Sequence, residues 1–206
     1  MLTIYHLDKS RSSRVIWLAE ELGLDYKVEV FKRAPGFLPP PEYKALHPLA
    51  RAPVIRDGDL VLPETGAIFD YILQRYGNGR LVPKPGSSAY APYLFWFHFA
   101  EGSFMPHFVS LYAMELAGGK DRAALETNPV GKTMLESLAK DIAYGDSVLA
   151  QHPYLAGDAF TACDIMMCLP FRSAKQFKDK LPAHPHIDDY LKRLAERPAY
   201  KKAEAF

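Results

Sequence analysis

Strand signals are confined to the first 80 residues of this chain. After a Pro/Gly/Ser-rich stretch, NGRLVPKPGSS at 78–88, every apolar pattern is helical. That asymmetry restricts the fold to a small α/β layer followed by a separate all-helical body. Within the first part, LTIYH reads as a strand. VIWLAEEL then places Val15, Leu18, Ala19 and Leu22 at i, i+3, i+4 and i+7, with Gly23 as its stop. KVEVF alternates at period two and is rich in valine, a second strand, so the three segments form a β-α-β unit with parallel strands. A proline-broken connection with a short helix over 42–46 leads to APVIRDGDLVLPE, a hairpin turning at Asp57-Gly58, and to a helix over 65–76 closed by Gly77.

The second part reads as one long helix over 90–116, interrupted at Gly102 and kinked at Pro106 by its missing amide. A helix starting at Asn128-Pro129 runs to about residue 150. Another is capped by Thr161 and Asp164, and a last one carries Ile187, Tyr190, Leu191 and Leu194 on one face. The expected division is 1–80 for the α/β domain, 81–88 for the linker and 89–206 for the helical domain.

Charge excludes several functions. Residues 1–80 carry 11 Lys/Arg against 10 Asp/Glu and residues 81–206 carry 14 against 14, without the basic excess that a nucleic-acid partner requires. No apolar run reaches the ~20 residues of a membrane span. Asp8, Lys9, Arg11 and Arg14 break the first 20 residues as a signal peptide, so a cytoplasmic location is expected. Cys163 and Cys168 lie five apart, about 140° around a helix, which argues against a disulfide or a shared metal and reads as core packing. No metal site is expected.

Several motifs at fixed separations carry a resemblance that runs nearly end to end. HPLARAPVI resembles the segment leading into the cis-proline of the cytosolic glutathione transferases, LPETGAIFDYILQRYG resembles their Glu-Ser segment and its helix, and TACD resembles the capping box of their helical domain. SRSSRVIWLAEELGL and FHFAEGSFMP resemble a bacterial branch of that family. The resemblance implies a thioredoxin-like first domain, an all-α second domain and a homodimer whose interface is lined by the helix from Tyr90. Glutathione is then the co-substrate. Pro53 would be the cis-proline and Val54, next to Ala52, would offer its N–H and C=O to the cysteinyl part. Thr65, capping its helix, and Glu64 would hold the γ-glutamyl end. Arg51, ahead of His47 and Lys44, would pair with the glycyl carboxylate.

The thiolate must be stabilised near neutral pH, and each unit of lowering from about 8.5 needs about 1.4 kcal/mol. A hydroxyl donor at a helix start supplies such an interaction. Three hydroxyls compete, in the order Ser10, Ser12, Tyr5. Ser10 precedes Arg14 by the spacing of serine-type relatives, and Ser13 is a cap or a first-turn residue. The electrophile would meet Phe104, Met105, Phe108 and Tyr112, with His107 and Leu7 near the mouth of a pocket between the domains, and Glu101 would reach the partner's bound glutathione. The resulting expectation is transfer of the glutathione thiolate to apolar electrophiles, with glutathione peroxidase activity beside it. Rival readings are a non-catalytic binding or regulatory protein of the same fold and a glutathione-dependent isomerase or dehalogenase.

Overall fold

The computed structural model describes all residues except 119–122, with the side chains of 123 and 124 also left aside. The chain divides into two units, Met1–Pro83 with Ala195–Phe206, and Lys84–Leu194. The first holds β1 (Leu2–Leu7), α1 (Ser12–Glu21), β2 (Tyr26–Phe31), a one-turn α2 (Pro41–Lys44), β3 (Val54–Asp57), β4 (Leu60–Pro63) and α3 (Thr65–Tyr76). The sheet order is β2-β1-β3-β4, with β1 parallel to β2 and antiparallel to β3. Period-two alternation sends Ile4 to one face, with the buried stripe of α1 and with Ile68, Phe69 and Ile72 of α3 also in the core. Tyr5 and Leu7 take the opposite face, in a cluster with Tyr43 and Val54.

Local chemistry corrects three expectations. The hairpin turn is Gly58-Asp59, because Asp57 still pairs with Leu60 and Gly58 supplies the positive φ of 59° that the first loop position needs. Thr65 does not cap α3: it is the first helical residue, Glu64 stands at the cap without a side-chain bond, and the first carbonyl bond is Ile68 N–H to Glu64 O. Residues 195–206, expected in the helical domain, belong to the first unit through α10 (Pro198–Ala203) on α1. There Arg197 grips Glu21 through two bonds of 2.6 and 2.7 Å, and Trp17 meets Tyr200 edge-on at 4.9 Å.

The second unit is built from helices among its described residues: α4 (Tyr90–Phe99), α5 (Met105–Ala117), α6 (Ala123–Thr127), α7 (Pro129–Leu149), α8 (Ala162–Ala174) and α9 (Pro185–Ala195), the last residue of which falls in the first unit, with an isolated β-bridge between Tyr154 and Gly157 in the loop before α8. Between α4 and α5 the backbone takes a π-helical turn over Ala100–Phe104. The helical backbone thus runs on without a break from α4 through this turn into α5, as the sequence predicts, with the irregularity beginning at Ala100 and spanning Gly102. Pro106 follows the Met105 N–H to Ala100 O bond that closes this wide turn, and its missing N–H leaves the ladder one donor short there. Asn128 caps α7, its side chain accepting from Val130 and Gly131 N–H at 2.9 and 3.2 Å. The core is aromatic: Phe171 lies edge-on to Trp96, Phe104 and Tyr190. No helix among the described residues is long and apolar enough to cross a membrane.

Candidate functional site

The loop between β1 and α1 gathers the hydroxyls. α1 begins at Ser12, and its first amide is held by a side chain: Ser12 N–H donates to Ser10 Oγ at 3.2 Å. The Ser12 hydroxyl is fully buried and in contact with the Ser10 hydroxyl at 2.7 Å, with His6 Nδ1 at 3.0 Å and with the Leu7 amide, which donates to it at 3.2 Å. Ser10 remains half-buried. Ser13 is a first-turn residue, its hydroxyl donating to Ser10 O at 3.4 Å, so the capping oxygen is that of Ser10. Arg14, the third residue of α1, is buried.

The loop itself is clamped. Arg33 donates from Nε to Asp8 O at 2.8 Å and from Nη1 to Phe37 O at 2.5 Å, tying the approach to Ser10 to the segment after β2. His6 is 4% exposed, and burial holds its pKa below the usual imidazole value against the opposing pull of Asp8 and Glu204.

Ser12 is therefore a poor direct donor to a ligand, since every function of its hydroxyl is engaged, while the Tyr5 ring packs in the cluster of Leu7, Tyr43 and Val54 on the opposite face of the sheet from His6. Leu7, expected at a pocket mouth, is core in that same cluster.

On the other side of the sheet end, the Ala52–Pro53 peptide is cis. Val54 opens β3 and is flanked by Tyr5 on β1 and Pro63 on β4. An inner-strand residue has no free edge for a third strand, and the neighbouring Tyr43 hydroxyl, whose pKa burial pushes up, donates to Tyr5 O at 3.4 Å. Ala52 is half-buried and lies outside the strand, before the cis peptide. Glu64 is exposed and adopts φ 78°, ψ 119°, an uncommon backbone state for a side-chain-bearing residue, and Thr65 beside it is buried. The amides of Thr65, Gly66 and Ala67 form the open first turn of α3. Arg51 and Lys44 are exposed and His47 is half-buried, its Nδ1 accepting from Leu49 N–H at 3.2 Å.

In the helical unit, Phe104 is fully buried against Phe99 and Phe171, and Met105 is buried as well, so both are core rather than lining. Phe108 stacks on the exposed Tyr112 with centroids 6.1 Å apart. His107 is partly exposed and bonds Asp141 at 2.9 Å. Glu101 lies in the π-helical turn.

The sequence reading passes over His6, Arg33 and Asp141. The signal for His6 was a polar residue at an apolar-period position of β1, on the face of Leu2 and Ile4. The other two become legible only through contacts more than twenty residues apart in the chain.

Residues 4–80 match the family of the glutathione S-transferase N-terminal domain, and residues 111–198 match that of the glutathione S-transferase C-terminal domain. A curated relative, glutathione S-transferase 3 of Zea mays, is 30% identical over 93% of this chain and 87% of its own. A crystal structure of a glutathione S-transferase from Actinobacillus pleuropneumoniae superposes with a TM-score of 0.86 at 29% identity, covering 100% of this chain and 92% of that one. A theta-class glutathione S-transferase from Xanthomonas axonopodis pv. citri, solved with glutathione bound, gives 0.76 at 28% identity over 98% and 96%. With both halves matched in order, a relative at this identity over most of its length, and the same four-stranded mixed sheet followed by helices, the chain belongs to the glutathione S-transferase family and is an enzyme of that kind.

Proposed function

We propose that the chain binds glutathione in its first unit and uses Ser10 to hold the thiolate for attack on apolar electrophiles. The observation that carries this reading is the contrast among the three hydroxyls. Ser10 alone is both at the head of α1 and incompletely engaged, whereas Ser12 has its hydroxyl fully engaged and Tyr5 lies within β1, its ring in the Tyr43 and Val54 cluster. A hydroxyl O–H to S⁻ bond, aided by the α1 dipole, favours the anion and lowers the thiol pKa. The thiolate sulfur then forms a bond to an electrophilic carbon, and the displaced electron pair leaves with a leaving group or takes a proton from water.

For the rest of glutathione, the open first-turn amides of α3 and the Thr65 hydroxyl suit the γ-glutamyl carboxylate, and the exposed Glu64 carboxylate suits its ammonium. The backbone of Ala52, rather than that of Val54, suits the cysteinyl backbone. Arg51 is assigned to the glycyl carboxylate. In the helical unit Phe108, Tyr112 and His107 are the remaining candidates for the electrophile. The same thiolate attacks a hydroperoxide oxygen, releasing the alcohol, with a second glutathione giving disulfide and water. The exposed apolar Leu94, Phe95 and Tyr144 support a homodimer through the α4 face, with Glu101 in the adjoining turn.

The test is retention on immobilised glutathione with elution by free glutathione, followed by absorbance titration of the bound thiolate. Ser10→Ala is expected to raise the bound thiol pKa, and Tyr5→Phe to leave it unchanged. An unmoved value in Ser10→Ala removes Ser10 from the role.

A further inference from the structure

The hydroxyl chain has a direction, and the donor count restricts it to two states. The Ser12 oxygen has one proton and two lone pairs. The Leu7 amide occupies one lone pair at 3.2 Å. Two close partners remain, His6 Nδ1 at 3.0 Å and Ser10 Oγ at 2.7 Å, with only one proton and one lone pair to share between them. The longer approach to Leu7 O at 3.4 Å competes weakly for the proton. One partner must therefore donate to Ser12 and the other must accept from it.

The two states differ in what Ser10 presents outward. When His6 Nδ1 carries a proton it donates to Ser12, and Ser12 donates to Ser10. The Ser10 oxygen then accepts from both the Ser12 hydroxyl and the Ser12 amide, its lone pairs are filled, and its O–H is its one function left for a ligand. When the ring proton sits on Nε2, Ser12 donates to His6 instead. Ser10 must then spend its only proton on Ser12, and it turns a lone pair toward the incoming group, which repels a thiolate.

We propose that His6 is a positioning residue for thiol activation: its Nδ1–H tautomer runs the chain from His6 through Ser12 to Ser10 and makes Ser10 an obligatory donor to the bound thiolate. This rests on the reading of Ser10 as the thiolate donor. The relation is reciprocal, since a thiolate at Ser10 accepts only and so favours the tautomer that serves it. Each bond polarises the next, so the terminal O–H is a stronger donor than an isolated serine. Burial of His6 away from water keeps the ring from exchanging these partners for solvent.

The test joins two measurements on the full chain saturated with glutathione. Long-range ¹⁵N correlation spectra of His6 in the unmutated complex are expected to show a protonated Nδ1; an unprotonated Nδ1 overturns the assignment. In the thiolate titration, His6→Leu is expected to raise the bound thiol pKa by about one unit, less than Ser10→Ala, as the loss of one bond in support of a charged group implies. His6→Asn, which offers an amide N–H donor at the same reach toward Ser12, is expected to restore it, which a merely space-filling role would not require. If Ser10→Ala raises the thiol pKa while His6→Leu leaves it unmoved, the His6 role fails and Ser10 stands. If Ser10→Ala itself is silent, the underlying reading fails with it.

Discussion

Asp164 shows how a single residue joins a local motif to a tertiary core. Its carboxylate accepts from Leu155 N–H at 3.0 Å, Thr161 N–H at 2.8 Å, Thr161 Oγ1 at 3.1 Å and the Tyr190 hydroxyl at 3.0 Å. Burial nevertheless outweighs these bonds and raises its pKa from 3.8 to about 6. The folded state then holds the proton more tightly than the unfolded chain. Its contribution is therefore full below about 3.8 and declines as pH rises through about 6, on the order of 3 kcal/mol in all. Asp164→Asn is expected to flatten that stretch of the stability profile, measured by urea midpoints between pH 4 and 6. Asp164→Ala removes the acceptor of all four buried donors and is expected to cost about 3 kcal/mol or more at any pH.

Two elements depend on a close approach that their own sequence does not advertise. In α7 a Cβ on Gly145 would fall 2.6 Å from Phe171 Cζ, and that ring is enclosed by Trp96, Phe104 and Tyr190. Gly145→Ala should gain roughly 1 kcal/mol of helix propensity and lose more to overpacking, for a net cost of about 1–2 kcal/mol. A lower urea midpoint with an unchanged slope checks it. At the other end of the chain, Arg197 holds α10 to α1 through the fork on Glu21, whose side chain also accepts from Trp17 Nε1 at 2.8 Å. Arg197→Ala is expected to cost about 1.5–3 kcal/mol, as for hydrogen bonds to a charged group. Arg197→Lys should recover only part, since a point charge cannot make the paired contact. Faster amide exchange in α1 would locate the loss.

For the whole molecule, ligand binding and unfolding are linked. At one hundred times its Kd, glutathione is expected to stabilise the chain by about 2.7 kcal/mol if it binds the folded state alone, read as a thermal shift. Ser10→Ala should keep most of that shift, because it removes one contact to sulfur. Thr65→Val should lose more of it by withdrawing a polar group from the γ-glutamyl end. The change of pattern after residue 80, the β-α-β order, the Asn128 cap and the Thr161–Asp164 pair were legible from the sequence, because each depends on neighbours within one or two turns of chain. The return of α10 to α1, the sheltered position of Val54 between two strands, and the core placement of Leu7, Phe104 and Met105 were not legible. The same apolar letters serve lining and core alike until packing assigns them. Ser10 and Ser12 are equal as letters and differ through the burial of one hydroxyl against β1. Sequence alone determined which hydroxyls and charges reach the head of α1, since local periodicity sets where that helix begins. Only the tertiary structure decided which of them stays half-exposed and which is held by His6, because that choice is made by contacts across the fold.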